Sequence, residues 1–200
     1  MVFNAGRYAA FERWFGQAAL FTRTLPTASA VGIATGDLTI HALGAHDAGV
    51  PVENPRQVPA YRYSERYGRL PPCFARATIV GRAGAERRLL VGGTASIVGE
   101  DSRHDCDARQ QALETFENLA ELIAAARRQI AGERPAEPDG ARAAFDAFTE
   151  LRVYVVRDAD APLLREMVHE RFGRTARIEF AQADLCRREL LVEIEGLATL

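Results

Sequence analysis

Cysteine is scarce in this chain of 200 residues. The three that occur, Cys73, Cys106 and Cys186, are odd in number, far apart and in no CxxC pair. That argues against a disulfide framework and suits a reducing cytosol, so a cytoplasmic location is expected. Lysine is missing, and the basic residues are arginines, a usage that suits a GC-rich genome. Any large charge excess is missing too. The formal net charge is −2, so neither nucleic acid nor an anionic membrane is an expected partner. No apolar run is long enough to span a bilayer. The opening MVFNAGRYAAFERWFG has no signal-peptide h-region. No internal repeat, Ser/His/Asp order, or flavin or nicotinamide fingerprint stands out. GGTAS lacks the Gly-Lys-Ser/Thr ending of a phosphate loop. No cofactor is expected.

What is present is ordinary for a globular protein. An apolar share of 48% over this length is enough for one or two domains with a real core. Tyr8, Phe11 and Phe15 recur at helical spacing and predict a short helix over Ala5 to Phe15. SAVGIATGDLTIHAL reads as two short strands, Ser29 to Ala34 and Asp37 to Leu43, around an ATGD turn. A long irregular stretch, Gly44 to Pro72, follows. It is rich in Pro, Tyr and Arg, and loops of that length are often functional. Next comes a β-hairpin, Ala77 to Gly81 and Arg88 to Gly93. A long helix spans Asp107 to Ala131, with Leu113, Phe116, Leu119, Ala120, Ile123, Ala126 and Ile130 as its apolar stripe. Asp105 or Asp107 is the expected cap and Gly132 the stop. GERPAEPDG reads as a flexible joint. A strand over Glu150 to Arg157 and a helix over Ala161 to Phe172 precede a last hairpin, Ala176 to Leu185 and Glu189 to Glu195. From Phe74 the order is β-β-α-β-α-β-β, which predicts an α+β fold with helices on one face of a sheet.

The last strand carries Glu193 and Glu195 around Ile194. Side chains two apart in a strand share a face, so both carboxylates point one way with Leu191. Leu190, Val192 and Ile194 point the other way. The carboxylate face is either solvated or the lining of a pocket. DSRHDCDAR groups Asp101, His104, Asp105, Cys106 and Asp107, but no second ligand cluster completes a metal site. Aspartates just before a helix read as caps and dipole partners, so no metal is expected.

The element order and VEIE in the last strand resemble the YjgF/RidA-like (chorismate-mutase-like) fold, whose small proteins form trimers with pockets between subunits. Four longer blocks, PVENPRQVPAYRYSERYGRLPPCFARATIV, LLVGGTASIVGEDSRHD, RQQALETFENL and QADLCRRELLVEIE, resemble the chorismatases, which carry a YjgF-like core. The resemblance covers nearly the whole chain. Family members are longer and have a further N-terminal YjgF-like half. Residues 1–72 are therefore expected to be a remnant of the N-terminal region, and 73–200 the catalytic domain. With that half absent, trimer-like self-association or a non-catalytic ligand-binding role are alternatives to catalysis.

The resemblance implies chorismate as substrate. Its enolpyruvyl ether is broken by protonating the terminal methylene carbon, which needs a close acid that is partly protonated near neutral pH. A desolvated glutamate meets that need. The resemblance gives this role to Glu193, with Glu195 nearer the pocket rim. Chorismate has two carboxylates, and guanidinium binds carboxylate bidentately. Arg76 is the favoured partner, with Arg152 and Arg187 as further candidates. Tyr61, Tyr63 and Tyr67 could bond the substrate or simply pack the proline-rich loop. Gln182 is another polar candidate. The resemblance sets the product branch at Gly99 and Cys186, a pair that looks like the branch forming 3-hydroxybenzoate and pyruvate through an intramolecular epoxide. The other branch adds water and yields a dihydroxycyclohexadiene carboxylate. A small buried hydrophobe is the plain alternative for Cys186. A RidA-like imine hydrolase would need neither the Tyr/Arg loop nor this pair.

Overall fold

The computed structural model describes residues 2–17, 22–36, 38–81, 86–132, 141–175 and 177–200. The chain order is α1 (Val2–Phe15), β1 (Val50–Val52), β2 (Ala77–Val80), β3 (Arg88–Ala95), β4 (Ile97–Val98), β5 (Asp101–Ser102), α2 (Ala108–Ala131), α3 (Ala141–Phe145), β6 (Phe148–Val155), α4 (Ala161–Arg171), β7 (Arg177–Gln182) and β8 (Val192–Thr199), with single 3-10 turns at Ala60–Arg62, Glu65–Tyr67 and Asp158–Asp160. One sheet runs β1-β2-β3-β8-β6-β7. Only β6 and β7 pair in parallel, and the other neighbours are antiparallel. Strands β4 and β5 form a separate small ribbon.

Helix α2 starts where Asp107 accepts a hydrogen bond from Gln110 N–H, the cap expected of an aspartate. It stops at Gly132, whose φ of 56° lies in the left-handed region open to glycine. The helix lies on the sheet with Ala112, Phe116, Leu119, Leu122, Ile123 and Ala126 buried. Leu113 is instead 37% exposed. Over so long a helix the buried stripe drifts, and Leu122 and Ala112 take the place assigned to Leu113. Four phenylalanines close the far end of this core. Phe172 packs edge-on to Phe116, Phe145 and Phe148, at ring separations of 5.4, 5.0 and 5.5 Å. Phe172→Ala is expected to cost about 3–5 kcal/mol. Urea unfolding of the variant against wild type checks this.

The expected last hairpin does not form. Strands β7 and β8 are close in sequence, but β6 lies between them. The chain after β7 turns back through residues 183–191 and enters beside β3. Regular alternation begins only at Val192. Leu191 therefore joins the main core with Val192 and Ile194, rather than the carboxylate face. Leu190 packs with Ala95, Ile97 and Leu185 in a smaller cluster.

The strands expected at Ser29 to Ala34 and Asp37 to Leu43 do not form either. Isolated bridges link Thr27 to Ala75 and Gly32 to Asp184, and residues 34–36 bend. Leu38, Ile40 and Leu43 are 75–76% exposed, so apolar alternation found no neighbouring strand to pair with. Asp37, most of the turn between β2 and β3, and nearly all of GERPAEPDG lie outside the described residues. Strand β1 comes from the stretch read as irregular, and pairs Val52 with Ala77. The sheet thus draws on both sides of the boundary expected at residues 72 and 73.

Candidate active site

The sheet has two unlike faces. Val192 and Ile194 of β8, with Leu151, Val153 and Val155 of β6, face the helices and form the core. Alternation sends Glu193, Glu195, Arg152 and Tyr154 to the opposite face. Register sets Tyr154 opposite Glu193 and Arg152 opposite Glu195.

The two glutamates differ in environment. Glu195 accepts hydrogen bonds from Tyr154 Oη at 2.7 Å and Arg152 Nη1 at 3.3 Å. Glu193 is 6% exposed. Burial first, and then the neighbouring Glu195 charge, push its carboxyl up to about 7, against an opposing pull from Arg76. This is the environment of a carboxylic acid that keeps its proton near neutrality. Room for it comes from β3, where the register with β8 shifts between Val91 and Thr94. A Cβ on Gly93 would stand 2.0 Å from Glu193 Oε1. Tyr154 is itself pushed up to about 12, by burial and then by its bond to Glu195.

Arg76 directly precedes β2 and is 4% exposed. Its Nη2 donates to Tyr63 Oη and, at 3.4 Å, to Val58 O. The guanidinium stands over the rings of Phe74 and Tyr63. Its Nε is buried and has no hydrogen-bond partner among the described residues. Arg187 stands over Tyr67, 4.0 Å from the ring centre, and over Tyr63 at 5.3 Å. Its Nη1 donates to Glu100 O, Ser102 Oγ and Tyr67 Oη, while Nη2 is buried without a hydrogen-bond partner among the described residues. Tyr67 Oη in turn donates to Glu100 O at 2.6 Å. The Tyr/Arg loop is thus bound to the site by stacked arginines.

Cys186 is exposed by area. Its thiol is nevertheless pushed up, first by desolvation and then by Glu193, with Arg187 and Arg76 pulling the other way. We read this as a thiol recessed among those three groups while the rest of the residue is open. The structure therefore gathers Glu193, Cys186, Arg76, Arg187, Tyr63 and Tyr67. Gly99 joins them indirectly. It exchanges backbone hydrogen bonds with Arg56 and Val58, one residue before the Glu100 carbonyl that holds Tyr67 and Arg187. Its φ is 62° and nothing lies within 4 Å of a Cβ built there.

Three candidates stand apart from that group. Arg152 is largely exposed and bonds Glu179 and Glu195, so it acts on Glu195. Tyr61 packs with Leu25, Cys73 and Ala75. Gln182 is exposed at the end of β7, on the helix-side face with Ile178 and Phe180, away from the carboxylates. Two residues were not foreseen. Alternation along β6 from Arg152 would have found Tyr154. Glu53, just past β1, accepts a hydrogen bond from the Arg76 backbone, and burial pushes its carboxyl up to about 7 against the pull of Arg76. No local pattern marks Glu53, because its neighbours come from a distant strand.

A groove of about 540 Å³ lies elsewhere, between Leu113, Phe116, Phe145, Met167 and Arg171. It holds none of the candidate residues. A smaller one of about 340 Å³ includes Arg187 and Asp184. In DSRHDCDAR, Asp107 caps α2 and Asp101 pairs with Arg66. No group of three or more metal-ligating side chains occurs among the described residues. No helix among them is long and apolar enough to cross a membrane.

No protein-family model matches the chain. A 3-hydroxybenzoate synthase of Streptomyces hygroscopicus is 37% identical over 199 residues, 98% of this chain and 56% of that protein. A chorismatase of Streptomyces rapamycinicus is 36% identical over 176 residues, 87% of this chain and 51% of that protein. The crystal structure of a chorismatase superposes with a TM-score of 0.78 at 28% identity, over 98% of this chain and 56% of the other. A Rid-family protein of Yersinia pestis has the same fold at a TM-score of 0.50 and 16% identity, over 76% of this chain and 100% of its own. The chain spans about half the length of the curated relatives it matches. By sequence and by fold it belongs with the chorismatases, built on a YjgF/RidA-like α+β scaffold.

Proposed function

We propose that this chain carries the acid of a chorismatase and converts chorismate to 3-hydroxybenzoate and pyruvate without a cofactor. The observation that carries the reading is Glu193, a carboxyl buried beside a second glutamate and pushed up to about 7. Its proton goes to the terminal methylene carbon of the enolpyruvyl ether. The ether carbon becomes cationic and the C–O bond to the ring is released as pyruvate forms. In the 3-hydroxybenzoate branch the ring's own oxygen displaces that bond, and aromatisation returns a proton to the Glu193 carboxylate. No water is consumed. Arg76 and Arg187 each keep a buried N–H without a hydrogen-bond partner among the described residues, one for each substrate carboxylate. Desolvated donors of this kind favour a dianion over its neutral analogue.

Incubation of the chain with chorismate, followed by liquid chromatography with mass detection, tests this. Pyruvate with 3-hydroxybenzoate supports the reading. Pyruvate with the dihydroxycyclohexadiene acid keeps Glu193 and assigns the hydrolytic branch. Intact chorismate overturns the reading for this 200-residue form. For Cys186→Val we expect a shift toward the hydrolytic product, because the thiol is electrostatically coupled to Glu193 and its replacement alters whether water reaches the cationic ether carbon or the ring oxygen displaces the ring C–O bond. An unchanged product ratio removes Cys186 from branch control. Trimer-like self-association belongs to the same proposal. It is supported by the exposed Leu38, Ile40 and Leu43. Light scattering that finds only monomer overturns it.

A further inference from the structure

The segment Thr27–Gly32 crosses the carboxylate face as a strap, pinned at both ends. At one end Thr27 Oγ1 and Thr78 Oγ1 are 2.7 Å apart, and Ala75 N–H donates to Pro26 O at 3.0 Å. At the other, Gly32 and Asp184 exchange backbone hydrogen bonds of 2.7 and 3.1 Å. Two glycines of β3 let it lie this close. A Cβ on Gly92 would be 2.8 Å from Thr27 Cγ2 and 3.1 Å from Ala28 O. Between the pins, Gly93 N–H donates to Ser29 Oγ at 2.8 Å. Gly93 is also the residue against which the Glu193 carboxyl rests. Ser29 and Glu193 therefore flank one glycine, Ser29 at its N–H and Glu193 at its Cα, with no hydrogen bond between them in this structure, and with its oxygen occupied as an acceptor the Ser29 hydroxyl keeps its proton to donate.

We propose that Ser29 is a positioning residue for Glu193, its hydroxyl held by Gly93 N–H and turned to donate to the carboxylate that forms as the acid gives up its proton. The inference rests on the function proposed above for Glu193. Oriented donors aimed at charge that develops during a reaction lower its barrier. The bond is stronger to the carboxylate than to the neutral acid, so Ser29 acts on the chemical step and little on substrate binding. It also explains why an exposed serine is fixed by the backbone of a buried strand.

The test is a carbon-13 NMR titration of protein labelled at glutamate carboxyls, with Glu193 assigned through Glu193→Gln. Wild type, Ser29→Ala and Ser29→Thr are compared. A donor to the charged form holds a carboxyl's titration down, so its loss moves the titration up. Glu195 on the same strand, Arg76 beside β2, Tyr154 on β6 and Cys186 before β8 also face Glu193. All four are identical in the three proteins. Glu193 is expected to titrate at higher pH in Ser29→Ala and to return toward wild type in Ser29→Thr. No upward movement in Ser29→Ala, or the same movement in Ser29→Thr, overturns the proposal. In the chorismate assay Ser29→Ala should lower kcat about tenfold with KM nearly kept. If wild type leaves chorismate intact, the proposed reaction fails, while the titration still decides the role of Ser29.

Discussion

Glu193→Gln is expected to lower turnover of chorismate about a thousandfold, the range of a lost general acid, while chorismate still binds and the fold is kept. The amide has nearly the shape of the carboxyl but cannot give a proton to carbon. Binding by calorimetry and single-turnover product formation separate the two effects. Near-normal turnover would remove Glu193 from the role. The pH dependence carries the same signature. The reactive form is the protonated acid, so the chemical step of wild type should fade as pH rises through about 7. Glu195 is already an acceptor from Tyr154 and Arg152, so its oxygens are committed to those donors.

Stability should move with the same proton. Glu193 has an ordinary value of 4.5 and is pushed up to about 7 in the folded chain. Between those values the folded state binds more protons than the unfolded state, so stability is lost as pH rises. The contribution is fully present below the unfolded value and gone above the folded one. Its size is on the order of 3 kcal/mol. Glu53 is raised in the same direction and adds to the slope. Above that window Glu193→Gln should therefore be more stable than wild type, since no buried charge has to be held. Urea unfolding on both sides of the window checks the sign. A wild type that grows more stable with rising pH across it would contradict the buried, neutral acid.

Much of this was legible in the sequence because strands and helices print their faces at a fixed period. Glu193 and Glu195 fell on one face as the alternation required, and the capped helix α2 began within a residue of its signal. The failures have a common origin in neighbours that sequence proximity does not supply. β7 and β8 look like a hairpin, but β6 enters between them because a parallel partner reached through α4 can bury Ile178 and Phe180 on the helices. The alternating apolar residues of the segment 38–43 look like a strand, yet among the described residues no strand pairs with them. Glu53 sits in a stretch without regular pattern, and its burial depends on Arg76 more than twenty residues on. Gln182 was a polar candidate on the penultimate strand, whereas the strand's period turns it to the face away from the carboxylates.

Gly93→Ala should be nearly as damaging to turnover as loss of the acid itself, for a geometric reason. The new methyl would fall 2.0 Å from Glu193 Oε1 and 2.7 Å from Cδ, distances that no real contact tolerates. The clashing atoms are the end of a side chain, so the backbone can stay and the carboxyl must swing away. A displacement of about 1 Å at a reacting group costs on the order of a hundredfold. Turnover should fall by that factor while the unfolding midpoint changes little. Gly99→Ala provides the contrast. Its Cβ meets nothing within 4 Å, and the expected cost is only the left-handed backbone, about 1 kcal/mol. One alanine thus removes activity with the fold kept, and the other strains the fold with Glu193 undisturbed. If both variants lose turnover equally and in proportion to stability, the close seat of Glu193 on Gly93 is not what sets the rate. If they separate as expected, the register shift in β3 is there to make room for the acid.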